Sequence, residues 1–90
     1  MSRVSRTVLI GNRRGLHARA SAKFVTLASS QPVELTVEKD GNSVTGTSIM
    51  GLMMLGAAMD DSITIHVSGI GAESALAQLA QLIEERFGED

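Results

Sequence analysis

The stretch GLHARASAK, residues 15–23, concentrates the reactive side chains of this chain. It holds one imidazole, His17, with Arg19 and Lys23 following on the same segment. Imidazole is nucleophilic near neutral pH, its reference pKa being about 6.5. Arginine supplies a forked donor that matches phosphoryl oxygens, and lysine adds a field. Gly15 permits a tight turn just before the histidine. A helical apolar period begins near Ala18, which puts His17 at the cap or first turn of a helix. There the first N–H groups are free and the dipole is positive. These residues suit the acceptance and holding of a phosphoryl group. They do not suit activation of water, because residues 1–33 contain no Asp or Glu to orient His17 locally and no Ser-His-Asp relay is indicated. A plain exposed residue at a helix start is the other reading of His17, and these residues alone leave both open.

A second unusual stretch is SIMGLMML, residues 48–55. Ser48 is a favoured N-cap type. Ile49, Met50, Leu52, Met53, Met54 and Leu55 are more apolar side chains than one short helix buries, so some should face solvent. Methionine there gives an adaptable surface for several partners; core packing is the alternative. His66 alternates with Ile65 and Val67 and reads as a solvent-facing strand position. The two histidines lie in separate elements and cysteine is absent, so no metal site, disulfide or cofactor is expected.

These residues need elements to position them. Residues 4–10 suit a strand and 11–15 a glycine-bounded loop. A helix follows from Ala18 to about Ser29, with Ala20, Phe24, Leu27 and Ala28 on one face. Residues 33–39 alternate as a half-buried strand, Asp40-Gly41 marks a tight hairpin, and 42–46 return as its partner. A short helix is expected over 47–56, a strand over 62–67, and a final helix with the stripe Ala72, Ala75, Leu76, Leu79, Leu82, Ile83 and Phe87, closed by Gly88. The order βαββαβα, with one apolar face per strand, predicts an α+β open-faced sandwich with the three helices on one face of the sheet.

Ninety residues, 43% apolar, predict one domain spanning 1–90. The net charge of −2 conceals an asymmetry. Arg3, Arg6, Arg13, Arg14, Arg19 and Lys23 give the first 33 residues +6, while the rest, with ten acids against Lys39 and Arg86, carry −8. The basic part surrounds His17 and would attract a phosphate or an acidic partner surface. Two phenylalanines and no other aromatic residue argue against nucleic acid. With no apolar run of spanning length and no secretory signal at the start, a cytoplasmic protein without membrane insertion, and a monomer, is expected.

GLHARASAKFV (15–25) and SIMGLMML (48–55), some thirty residues apart, resemble the two signature segments of the HPr family, the histidine-containing phosphocarriers of the bacterial phosphoenolpyruvate-dependent phosphotransferase system. The resemblance extends over essentially the whole chain. It implies a four-stranded antiparallel sheet with three helices on one face. It implies that the residue matching His17 receives a phosphoryl group on Nδ1 from enzyme I and passes it to an enzyme IIA domain, so that the chain is a covalent carrier and not an enzyme. It assigns assistance in transfer to Arg19 and docking to Ile49, Met50 and Met53. Leu52 and Lys23 are added to that docking set from their place in the sequence. Ser48 matches a serine that an HPr kinase/phosphorylase phosphorylates in many members. The family motif has proline after the arginine, whereas this chain has Ala20. Two alternatives stay open: the nitrogen-related phosphotransferase branch with regulatory output only, and an interaction module acting solely through the methionine-rich helix.

Overall fold

The computed structural model describes residues 3–89. Four strands, β1 (Arg3–Leu9), β2 (Glu34–Lys39), β3 (Asn42–Thr45) and β4 (Ser62–Ser68), form one sheet in the order β1-β4-β2-β3. Every neighbouring pair is antiparallel. Three helices, α1 (Ala18–Ser29), α2 (Ile49–Met54) and α3 (Ala72–Glu84), complete the expected open-faced sandwich.

Strand alternation decides which face is covered. Val8 pairs with Ile63, Val37 with both Ile65 and Val44, and Leu35 with Val67. These side chains share the inner face, where Phe24, Leu52, Leu79 and Ile83 from the helices are fully buried with them. Burying one such side chain is worth roughly 1.5–3 kcal/mol, so this layer holds the helices on the sheet. The opposite face carries Ser5, Thr7, Thr36, Glu38, Thr64 and His66 and is left uncovered. The Asp40-Gly41 turn has φ of 51° and 83°, the left-handed pair that a two-residue hairpin demands.

The last helix departs from its apolar stripe. It ends at Glu84, and Arg86 and Phe87 then adopt left-handed φ of 59° and 55°. Phe87 still reaches the core, only 1% exposed, but by a turn and not by helical continuation. Two non-glycine residues in that region cost of order 1–2 kcal/mol each. Burial of the phenylalanine ring and a 2.6 Å hydrogen bond from Lys23 Nζ to Phe87 O oppose that cost. The turn swings the chain end back toward the start of α1.

Candidate functional site

His17 is the N-cap of α1. Its backbone is extended, and its Nδ1 accepts a hydrogen bond from the Arg19 N–H at 3.2 Å. The first helical bond runs from Ser21 N–H to His17 O at 2.9 Å, so the amides of Ala18 and Ala20 lie ahead of the ladder in the first turn. The loop before it is fixed tightly. Gly15 has φ of 63°, its N–H bonds Asn12 O at 3.2 Å, and Leu16 N–H bonds Ala57 O at 2.9 Å.

The other ring nitrogen meets a residue that the sequence did not bring forward. His17 Nε2 lies 2.9 and 3.0 Å from the two carboxylate oxygens of Glu89. Buried Asn12 donates from Nδ2 to Glu89 Oε1 and to Gly15 O, both at 2.8 Å. Two acceptors fix the amide orientation and leave Asn12 Oδ1 without a partner among the described residues. A carboxylate only accepts, so Nε2 carries the proton and Nδ1 keeps its lone pair. The His17 side chain is 13% exposed and that of Glu89 21%. Hydrogen bonds from Asn12 and then His17 hold the Glu89 carboxyl below its ordinary range, against partial desolvation, and the Arg14 charge acts in the same direction. The orienting carboxylate absent from residues 1–33 thus comes from the far end of the chain. Its only sequence signal is its place after Phe87 and Gly88, and that becomes readable only once the left-handed turn is known.

This arrangement presents one nucleophilic nitrogen beside first-turn amides and the positive end of a helix dipole. Attack by Nδ1 on phosphorus needs no side-chain base to deprotonate it. Were an N–P bond to form at Nδ1, the ring would become cationic, and Glu89 faces the place of that charge. Glu89→Gln keeps an acceptor and removes the charge. It is expected to slow phosphoryl acceptance about tenfold, the scale of a hydrogen bond to a charged group, and to reduce the Nε2–H tautomer in ¹⁵N NMR. Because the folded-state pKa is depressed, the tail contact is complete above the ordinary carboxylate range and is lost as pH falls through the lowered value. A ¹³C titration placing the Glu89 midpoint at or above that range would contradict the contact.

The remaining residues divide. Arg19 is exposed, with its guanidinium in no ion pair among the described residues. Lys23 is exposed, and its Nζ donates one hydrogen bond to Phe87 O that ties the tail to α1. Ser48 caps α2, its Oγ accepting from Gly51 N–H at 2.9 Å. On α2, which packs against α1, Ile49, Met50 and Met53 are 40%, 69% and 41% exposed. Leu52 is fully buried; it points from the same helix into the core and cannot touch a partner, which corrects its place in the docking set. Met54, left out of that set, is 80% exposed.

An open-faced sandwich that offers a tautomer-fixed histidine at a helix N-terminus defines the class of small histidine phosphocarriers. Residues 4–85 match the family model described as "PTS HPr component phosphorylation site". The chain belongs to the HPr family, the phosphocarriers of the phosphotransferase system. It is 40% identical over 86 residues to the phosphocarrier protein HPr of Cupriavidus necator, covering 96% of this chain and 97% of that one. It is 36% identical over 89 residues to the phosphocarrier protein NPr of Shewanella violacea, covering 99% and 98%. The crystal structure of an HPr from Thermoanaerobacter tengcongensis superposes with a TM-score of 0.90 at 41% identity, covering 100% of this chain and 99% of that chain.

Proposed function

We propose that this chain is a covalent relay: His17 Nδ1 takes a phosphoryl group from phosphorylated enzyme I and gives it to an enzyme IIA domain. The observation that carries this reading is the state of the ring, Nε2 held by Glu89 and Nδ1 facing the helix start. In the first transfer the phosphorus bond to enzyme I breaks as the Nδ1–P bond forms; the second reverses this toward the acceptor. The Arg19 N–H, released from Nδ1, and the Arg19 guanidinium receive phosphoryl oxygens. Ile49, Met50 and Met53 form an apolar docking surface beside the basic segment. The test is incubation with phosphoenolpyruvate and enzyme I of the sugar type or of the nitrogen type, followed by addition of the matching enzyme IIA. Transfer onto and off the chain is the result expected, and no phosphorylation by either enzyme I would refute the relay.

Ala20 favours keeping the nitrogen-related branch as a second reading. Its N–H is a first-turn donor that proline lacks. Ala20→Pro is therefore expected to change the phosphohistidine half-life or the transfer rate, measured by loss of ³²P; both unchanged would remove any role for the departure.

Ser48 is the regulatory position in this reading. Phosphate there adds about −1.5 to −2 charges at a helix start that tolerates them. A partner surface complementary to a basic, apolar face does not. Ser48→Asp is expected to raise the KM of enzyme I for this chain with little change in kcat, and a KM equal to wild type would count against electrostatic interference.

A further inference from the structure

The uncovered sheet face holds a second histidine with a complete set of partners. His66 Nε2 lies 2.9 Å from Glu38 Oε1, and His66 Nδ1 lies 2.7 Å from Ser5 Oγ. The three residues come from three adjacent strands, β2, β4 and β1, held by their ladder. The carboxylate accepts from Nε2–H, which leaves Nδ1 as a base. The only hydrogen then available between Ser5 and Nδ1 is the serine proton. The chain of donors is therefore Ser5 O–H to His66 to Glu38, the polarity that activates a serine for attack. Ser5 is exposed, whereas the His66 side chain is 21% exposed, so the base is shielded and the nucleophile accessible. Next to them the sheet dips into a depression of about 540 Å³ lined by Arg3, Glu34, Thr36, Thr45, His66 and Ser68. None of these residues belongs to the His17 site.

We propose that Ser5 is an activated nucleophile and a covalent modification site for small acyl groups on good leaving groups, the class of acyl phosphates and thioesters. Ser5 Oγ bonds to the acyl carbon and its proton passes to His66 Nδ1. The bond from carbon to the leaving oxygen or sulfur breaks, and His66 returns the proton to the leaving group or to water. The product is an O-acyl serine and free phosphate or thiol. Strand N–H groups run in the plane of the sheet, so no backbone pair points at the developing oxyanion. Single acylation with slow release follows, rather than turnover as a hydrolase.

The experiment treats the full chain with p-nitrophenyl acetate and maps adducts by peptide mass spectrometry. One acetyl group on Ser5 is expected, with Ser43 and Ser62 on the same face unmodified. General-base assistance is worth about 100-fold or more, so His66→Gln should slow acetylation of Ser5 by roughly that factor. Glu38→Gln, the milder change, should slow it less. Circular dichroism checks that each variant keeps its fold. Parallel runs with acetyl phosphate and S-acetyl-N-acetylcysteamine identify the donor source by which acetylates Ser5 faster. Ser5 acetylated no faster than Ser43 and Ser62, or at the same rate in folded His66→Gln and Glu38→Gln, would overturn the proposal. His17 phosphorylation is read separately, so neither result depends on the other.

Discussion

His17→Ala is expected to abolish acid-labile phosphorylation of this chain completely while leaving it folded. The fold should survive because His17 contributes a cap and two tail contacts, not core volume. Losing an N-cap acceptor costs about 1 kcal/mol, and the Glu89 contact is partly solvent-exposed. The loss of phosphorylation should be total because nothing else among the described residues offers the same combination. His66 is the obvious substitute, yet both of its ring nitrogens are occupied, by Ser5 and by Glu38. It also sits mid-strand, where no free first-turn amides or helix dipole await a phosphoryl group. Incubation with phosphoenolpyruvate, enzyme I and ³²P label, followed by acid treatment, reads the outcome. Label retained by His17→Ala at the wild-type level would remove His17 from the relay, and label lost in His66→Ala with His17 intact would move the chemistry to the other face.

Gly15→Ala should cause the largest loss of stability of any single methyl addition near the site. Gly15 holds φ of 63°, where a side chain is strained by of order 1 kcal/mol. The larger effect is contact: an added Cβ would stand 2.3 Å from Ala57 O and 2.8 Å from Ala58 Cα. Both are backbone atoms, and the neighbouring Leu16 N–H is bonded to that same carbonyl, so neither segment can retreat without breaking the pair. A total of about 3 kcal/mol is expected, which for a domain of this size lowers Tm by roughly 12–24 °C. Gly41→Ala is the internal control. It has a comparable positive φ of 83° but nothing within 4 Å of its Cβ, so it should show the conformational cost alone. Thermal melts of both variants separate the two terms; equal Tm values would show that the Ala57 contact relaxes freely. Partial misplacement of the Gly15 loop also moves Asn12, because Asn12 Nδ2 bonds Gly15 O, and with it the partner of Glu89.

The sequence by itself determined the elements, their order and the layer architecture. The alternation of Ile63, Ile65 and Val67, the Asp40-Gly41 turn and the stripe through α3 are local patterns, each readable within a dozen residues. The same local logic placed His17 at a helix start, because a change from loop composition to helical period is visible along the chain. Four things were decided only in three dimensions. Leu52 and Met53 are adjacent apolar residues in sequence, and only the packing of a six-residue helix against its neighbours sends one into the core and leaves the other out. Lys23 lies among the basic residues around His17, and only the fold shows that its amine also ties down the tail through Phe87 O. Ser5, Glu38 and His66 are far apart in sequence and meet only through strand register. Glu89 is 72 residues from His17 and reaches it because Arg86 and Phe87 adopt left-handed conformations that no propensity favours. That turn is stabilised by burial of one phenylalanine ring, an energy that depends on the assembled core around it and therefore exists only in the folded molecule. Local pattern thus fixed where the histidine stands; the tertiary fold decided which of its nitrogens is free to react.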